Sequence, residues 1–170
     1  YVQEAINSRL ELRSRTEDDF AADTPLAIVD LGILMHLWLS HIRTWNDANP
    51  TLLKLIQQGQ VTENQAQEMR LQLQQLQTLI TRENHNDWFS DKYTILSEQD
   101  IITPSGNMQR PDRVMIRGKH AIVIDYKFGH QQSPTYIEQI RDYILLLREL
   151  GYTTKGYIIY NQLQTIQAID

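Results

Sequence analysis

Cysteine is absent from this 170-residue chain, and that one absence excludes disulfides, zinc–thiolate sites and iron–sulfur clusters together. A reducing, cytoplasmic setting is the expectation. Long apolar runs are missing as well. The longest, residues 25–42, is interrupted by Asp30, His36 and His41, so it reads as a buried helix and not as a membrane span. No basic region or cleavage pattern precedes it, which argues against a signal peptide. No G-x-x-x-x-G-K-[ST] loop occurs, so this fragment is expected to bind no nucleotide. The chain opens on Tyr1, and we expect a piece of something longer, folded as a single domain over residues 1–170.

Positive charge is scarce overall, at a net −5, which argues against a nucleic-acid binder until its distribution is considered. Residues 1–107 hold 8 Lys/Arg against 15 Asp/Glu, whereas residues 108–130 hold Arg110, Arg113, Arg117, Lys119 and Lys127 against only Asp112 and Asp125. That local balance of +3 is where a phosphate backbone would have to lie, unless it is merely a solvated basic strand face.

The same segment carries the most informative pattern. Two apolar-rich runs flank Gly118-Lys119, which predicts a β-hairpin closed by a two-residue type II′ turn with glycine at its first central position. Such a turn fixes the register. Pairs should add to 237, so that Arg117 faces His120, Val114 faces Val123 and Asp112 faces Asp125. Two carboxylates opposite each other, about 5 Å apart at Cβ, repel unless something positive lies between them. A divalent cation fits. Residues two apart share a strand face, so Lys127 projects with Asp125 while Tyr126 points away. Hard oxygen ligands select Mg²⁺ or Mn²⁺, ions that also bind phosphate oxygens, and this is the equipment for phosphodiester hydrolysis. The bland alternative is a solvated hairpin with an ordinary Asp–Lys pair.

Periodicity supplies the scaffold. Residues 9–13 alternate as a short strand, and residues 28–45 read as a helix apolar nearly all round, with Gly32 one turn before His36. On its residues alone His36 is better read as a hydrogen-bonded core histidine. Residues 51–58 predict a short helix. Residues 62–81 predict a longer one opened by a Thr62/Gln65 capping box, its Gln-rich face an amphipathic arm that touches a partner or covers the core. Residues 93–103 and 108–117 read as strands joined by Pro104-Ser105-Gly106-Asn107. Closure about 103 and 108 makes pairs add to 211 and sets Glu98 opposite Arg113, where it either supplies a third carboxylate or neutralises the arginine. Ser133 caps a helix over residues 134–150, ended by Gly151. A strand over 154–160 then implies a parallel crossover, with a further strand at 163–169. On that helix Tyr136, Ile140, Tyr143 and Leu147 read as core by spacing, with Gln139 the polar exception sharing a face with Tyr143.

Taken in order, Gly32-Ile-Leu-Met-His36, Glu98, Arg110-Pro111-Asp112-Arg113, Val123-Ile-Asp-Tyr-Lys-Phe-Gly129, then Tyr136, Gln139 and Tyr143, and Gly156-Tyr-Ile-Ile-Tyr160 resemble the PD-(D/E)xK nucleases. Within them they resemble specifically the RecB/AddA-like C-terminal nuclease domain of bacterial helicase–nucleases. The resemblance covers most of the chain. It implies an α/β, restriction-endonuclease-like α-β-β-β-α-β core, a mixed sheet flanked by helices, here with an N-terminal helical insert. It also implies roles. His36, Asp112 and Asp125, with the Tyr126 carbonyl, would hold Mg²⁺ or Mn²⁺, which reverses the plain reading of His36. Lys127 would orient or activate the attacking water, with Glu98 a further catalytic candidate. Gln139, Tyr143, Tyr136, Arg110 and Arg113 would position the DNA strand, or Gln139 and Tyr143 the catalytic lysine. The implied activity is a DNA exonuclease working on single-stranded ends in double-strand-break repair, alongside helicase domains of the same or a partner chain. A non-catalytic DNA-binding module is the alternative. Relatives with a cysteine-held cluster have no counterpart here, and neither the acidic stretch before Leu26 nor residues 50–86 match the pattern.

Overall fold

The computed structural model describes residues 26–96, 101–102 and 108–170. The expected strand at residues 9–13, the Pro104–Asn107 turn and Glu98 lie outside them. Among the described residues the fold is α/β, with four helices and a five-stranded mixed sheet.

Helix α1 (Leu26–Ser40) is followed by a 3₁₀ turn (Trp45–Asp47), α2 (Ala48–Gln57) and α3 (Glu63–Arg82). Helix α2 starts three residues earlier than expected because Pro50 sits in its first turn, where a missing N–H costs nothing. The Thr62 hydroxyl accepts from Gln65 N (3.2 Å) and the Gln65 side chain accepts from Thr62 N (2.9 Å), the reciprocal capping box read from the sequence. Met69, Leu73, Leu76 and Ile80 of α3 are buried against Met35, Trp38 and Leu39 of α1 and against Leu52 and Leu55 of α2. The Gln-rich segment therefore covers the core. Among the described residues no helix is long and apolar enough to cross a membrane.

Strands β1 (Thr94–Ile95), β4 (Arg113–Arg117), β5 (His120–Lys127), β6 (Thr153–Tyr160) and β7 (Thr165–Ile169) form the main sheet in the order β1-β4-β5-β6-β7, and β2 (Ile101–Ile102) pairs with β3 (Met108–Gln109) separately. The β4–β5 hairpin has the expected register, Arg117↔His120, Val114↔Val123 and Arg113↔Ile124, with Gly118 at φ 58 in its turn. The preceding pairing differs by one residue. Thr94↔Ile116, Ile95↔Met115, Ile101↔Gln109 and Ile102↔Met108 all add to 210, so the placement of Glu98 opposite Arg113 does not follow from the register. The expected continuous strand 108–117 is also broken at Arg110-Pro111-Asp112, where proline removes a ladder donor.

Helix α4 (Pro134–Glu149), capped by Ser133 as expected, carries the chain from β5 to the parallel strand β6. One sheet face, with Met115, Ile124, Tyr126 and Ile159, packs on α1–α3. The other, with Val114, Ala121, Val123, Ile158 and Tyr160, packs on Tyr136, Ile140, Tyr143, Ile144 and Leu147 of α4. Gly156 permits the close approach: a Cβ there would lie 2.5 Å from Ile140 Cγ2 and 2.7 Å from Ile144 Cδ1.

Candidate functional site

The C-terminal end of β5 is where the fold concentrates polar groups. Alternation sends Asp125 and Lys127 toward α4 and Tyr126 toward α1, and all three are buried: Asp125 is 8 % exposed and Lys127 5 %. The Lys127 Nζ lies 2.8 Å from Asp125 Oδ2. A buried ammonium and carboxylate are costly to desolvate singly, and the pair is what makes either tolerable inside.

Asp112 follows the register to its end. The ladder stops at Arg113↔Ile124, and one step beyond it the Tyr126 N–H donates to Asp112 Oδ2 at 2.9 Å. The carboxylates of the sequence reading are thus brought to the same strand end but given different partners, Asp112 the Tyr126 amide through a hydrogen bond and Asp125 the Lys127 ammonium through an ion pair. That removes much of the repulsion expected between them.

His36 reaches this point from α1. Its Nδ1 lies 2.9 Å from Gly32 O, one turn back, and its Nε2 lies 3.0 Å from Tyr126 O and 3.3 Å from Asp112 Oδ2. Phe128 meets the ring edge-on at 5.3 Å. With Nδ1 donating to Gly32 O, Nε2 presents a lone pair to a carbonyl and a carboxylate, and three electron-rich atoms surround one point. A positive charge on Nε2, proton or metal, would satisfy the carbonyl and the carboxylate beside it. Imidazole nitrogen, carboxylate and carbonyl form a donor set suited to Mn²⁺ or Mg²⁺. His36, Asp112 and the Tyr126 carbonyl would hold such an ion. Among the described residues no three His, Asp or Glu side chains make a ready-made metal group. The cluster here is two side chains and a main-chain oxygen, with Asp125 turned to Lys127.

Other expected residues fall differently. Arg113, expected to position DNA, is 1 % exposed. Its guanidinium donates to Ile42 O (2.7 Å), Arg43 O (2.6 Å) and Trp88 O (3.0 Å) and lies 4.0 Å over the Phe89 ring, so it ties the end of α1 to the sheet. Tyr136 and Tyr143 are buried between α4 and the sheet, as their spacing indicated, and do not present their rings to a strand of DNA. Gln139 is half-buried on the same helix and Arg110 half-buried before Pro111. Arg117 and Lys119 are exposed at the hairpin turn, seven residues of β5 from Lys127, or roughly 23 Å. The local surplus of cations is therefore split between the two ends of the hairpin.

Two supports were not read from the sequence. Asn161 N donates to Lys127 O at 2.9 Å. The Asn161 amide in turn donates to Gln72 Oε1 at 2.7 Å and Gln72 O at 3.3 Å, so α3 braces the strand end beneath Lys127. Tyr160 is the register partner of Lys127. Burial raises its phenol above the ordinary value, with nearby Lys127 opposing and Asp125 adding to the shift. One polar residue in a Gln-rich helix and one tyrosine in an apolar strand carry no local signal of such roles.

Comparison with models of known protein families finds no match for the chain, and a search of curated proteins finds none significantly similar to it.

Proposed function

We propose that the chain is a divalent-metal-dependent deoxyribonuclease domain of the restriction-endonuclease-like, RecB type. The observation that carries this reading is the convergence of His36 Nε2, Asp112 Oδ2 and Tyr126 O beside the buried Asp125–Lys127 pair. The order of elements supports it: a helix bearing the histidine, a meander whose hairpin bears the two aspartates and the lysine, then a helix and a parallel strand.

In the proposed reaction a water attacks the phosphorus of a DNA phosphodiester and the bond to the leaving deoxyribose oxygen breaks, that oxygen departing as an alcohol with a proton from solvent. Bound Mg²⁺ would supply Lewis-acid polarisation of the phosphate and acidify the water. Lys127 offers an ammonium to the phosphate oxygens as charge grows on them, in a site dry enough for that attraction to be strong. Asp125 keeps the lysine at the site's edge. The Tyr126 amide fixes Asp112, and Gly32 O fixes the His36 ring, so neither must reorganise when substrate arrives. Helicase domains in the same or a partner chain, in the cytoplasm, would deliver single-stranded ends.

The test is calorimetric titration with Mn²⁺. Micromolar binding by the parent protein that is lost in Asp112→Asn is the expected result. No binding by the parent would leave a metal-free DNA-binding module as the better reading, and retention of strand binding in chelator would then identify it.

A further inference from the structure

We propose that the Tyr136 ring forms an aromatic cradle that fixes the Lys127 ammonium, making Tyr136 a positioning residue that acts through that lysine. The catalytic half of the inference rests on the nuclease reading above. The structural half rests on geometry alone.

Lys127 enters the layer between the sheet and α4, and its Nζ lies 4.0 Å from the centroid of the Tyr136 ring. Tyr160 stands on the neighbouring parallel strand as the partner of Lys127, so the two side chains share a face. Both rings are almost wholly buried, Tyr136 at 2 % and Tyr160 at 1 % exposure. The ammonium is thus held between a carboxylate at 2.8 Å and a π face.

The aromatic neighbour has a chemical consequence. A ring face attracts the charge through its quadrupole and supplies no lone pair, so it restrains a flexible four-carbon chain without taking its hydrogen bonds. Desolvation by the Tyr136 ring also strengthens whatever the ammonium meets next. A Tyr136 buried to 2 % is poorly placed to touch DNA. Its influence on the reaction runs through the residue it packs against.

Two measurements test this, on the parent protein, Tyr136→Leu and Tyr136→Phe. In metal-free protein carrying ¹³C-lysine, the Lys127 ε-methylene protons resonate upfield of the other lysines because of the Tyr136 ring current. The displacement persists in Tyr136→Phe and disappears in Tyr136→Leu. Steady-state cleavage of a single-stranded oligodeoxynucleotide with Mg²⁺ then shows kcat reduced roughly tenfold or more in Tyr136→Leu with KM little changed, and largely restored in Tyr136→Phe. Because Tyr136→Leu opens the core, the parent spectrum is decisive by itself: ε-protons at the ordinary lysine position overturn the cradle. Parental kcat in a folded Tyr136→Leu overturns its positioning role. A parent that shows the displaced resonance but cleaves no DNA upholds the cradle and refutes only the nuclease reading.

Discussion

Arg113 shows how far a single residue's role depends on its surroundings. On a strand face next to Asp112 it reads as part of a basic surface, yet its three carbonyl acceptors come from Ile42, Arg43 and Trp88, 25 to 71 positions away in the chain. Desolvation lowers its pKa from the ordinary arginine value, with Tyr126 and Asp47 opposing, and the planar fork is what allows one side chain to serve three oxygens. Arg113→Ala strands those buried carbonyls. We expect it to lower stability by about 3 kcal/mol in urea denaturation followed by circular dichroism, with Arg113→Lys recovering only part. A loss below about 1 kcal/mol would mean that water replaces the guanidinium. His36 shows the opposite case. Its apolar helix reads as that of a core histidine, and the structure brings Tyr126 O and Asp112 Oδ2, from the far side of the sequence, to its Nε2.

At the scale of elements, the features legible in the sequence are those fixed by short-range geometry. A two-residue turn with a glycine at positive φ permits one register, and the β4–β5 pairing follows it. The Thr62 box and the Ser133 cap are likewise local. The pairing that adds to 210 departs by one from the expected 211 because a longer connection does not dictate its own closure, and Pro111 interrupts the strand that the apolar pattern suggests. Helix α4 was legible in extent but its closeness to β6 was not. That closeness depends on Gly156, where a Cβ would meet the branched methyl of Ile140, which moves only by rotating χ1. Gly156→Ala should cost about 1–3 kcal/mol as an overpacking change. Because α4 carries Tyr136, Gln139 and Tyr143 over the strand end, it should also slow any cleavage more than its effect on stability explains. Thermal unfolding and initial rates on the same samples check both parts, and an unchanged melting temperature would contradict the packing account.

At the scale of the whole molecule, the sheet separates two tasks. The α1–α3 layer buries most of the large apolar side chains and sends His36 and the Gln72–Asn161 brace to one end of β5. The α4 layer closes the other face over Asp125 and Lys127. The candidate site lies where the layers meet, at the C-terminal end of the central strand, and its residues span positions 36 to 160. With a net charge of −5, the proposed binding of DNA would have to draw on the site and the local cations, not on the molecule's overall field.

The most direct test of the central claim is a gel assay of end-labelled single- and double-stranded DNA with Mg²⁺, using the parent protein and Asp125→Ala. The account predicts Mg²⁺-dependent degradation by the parent, stopped by chelator and abolished in a variant that remains folded. Cleavage that persists at the parental rate in Asp125→Ala would contradict it.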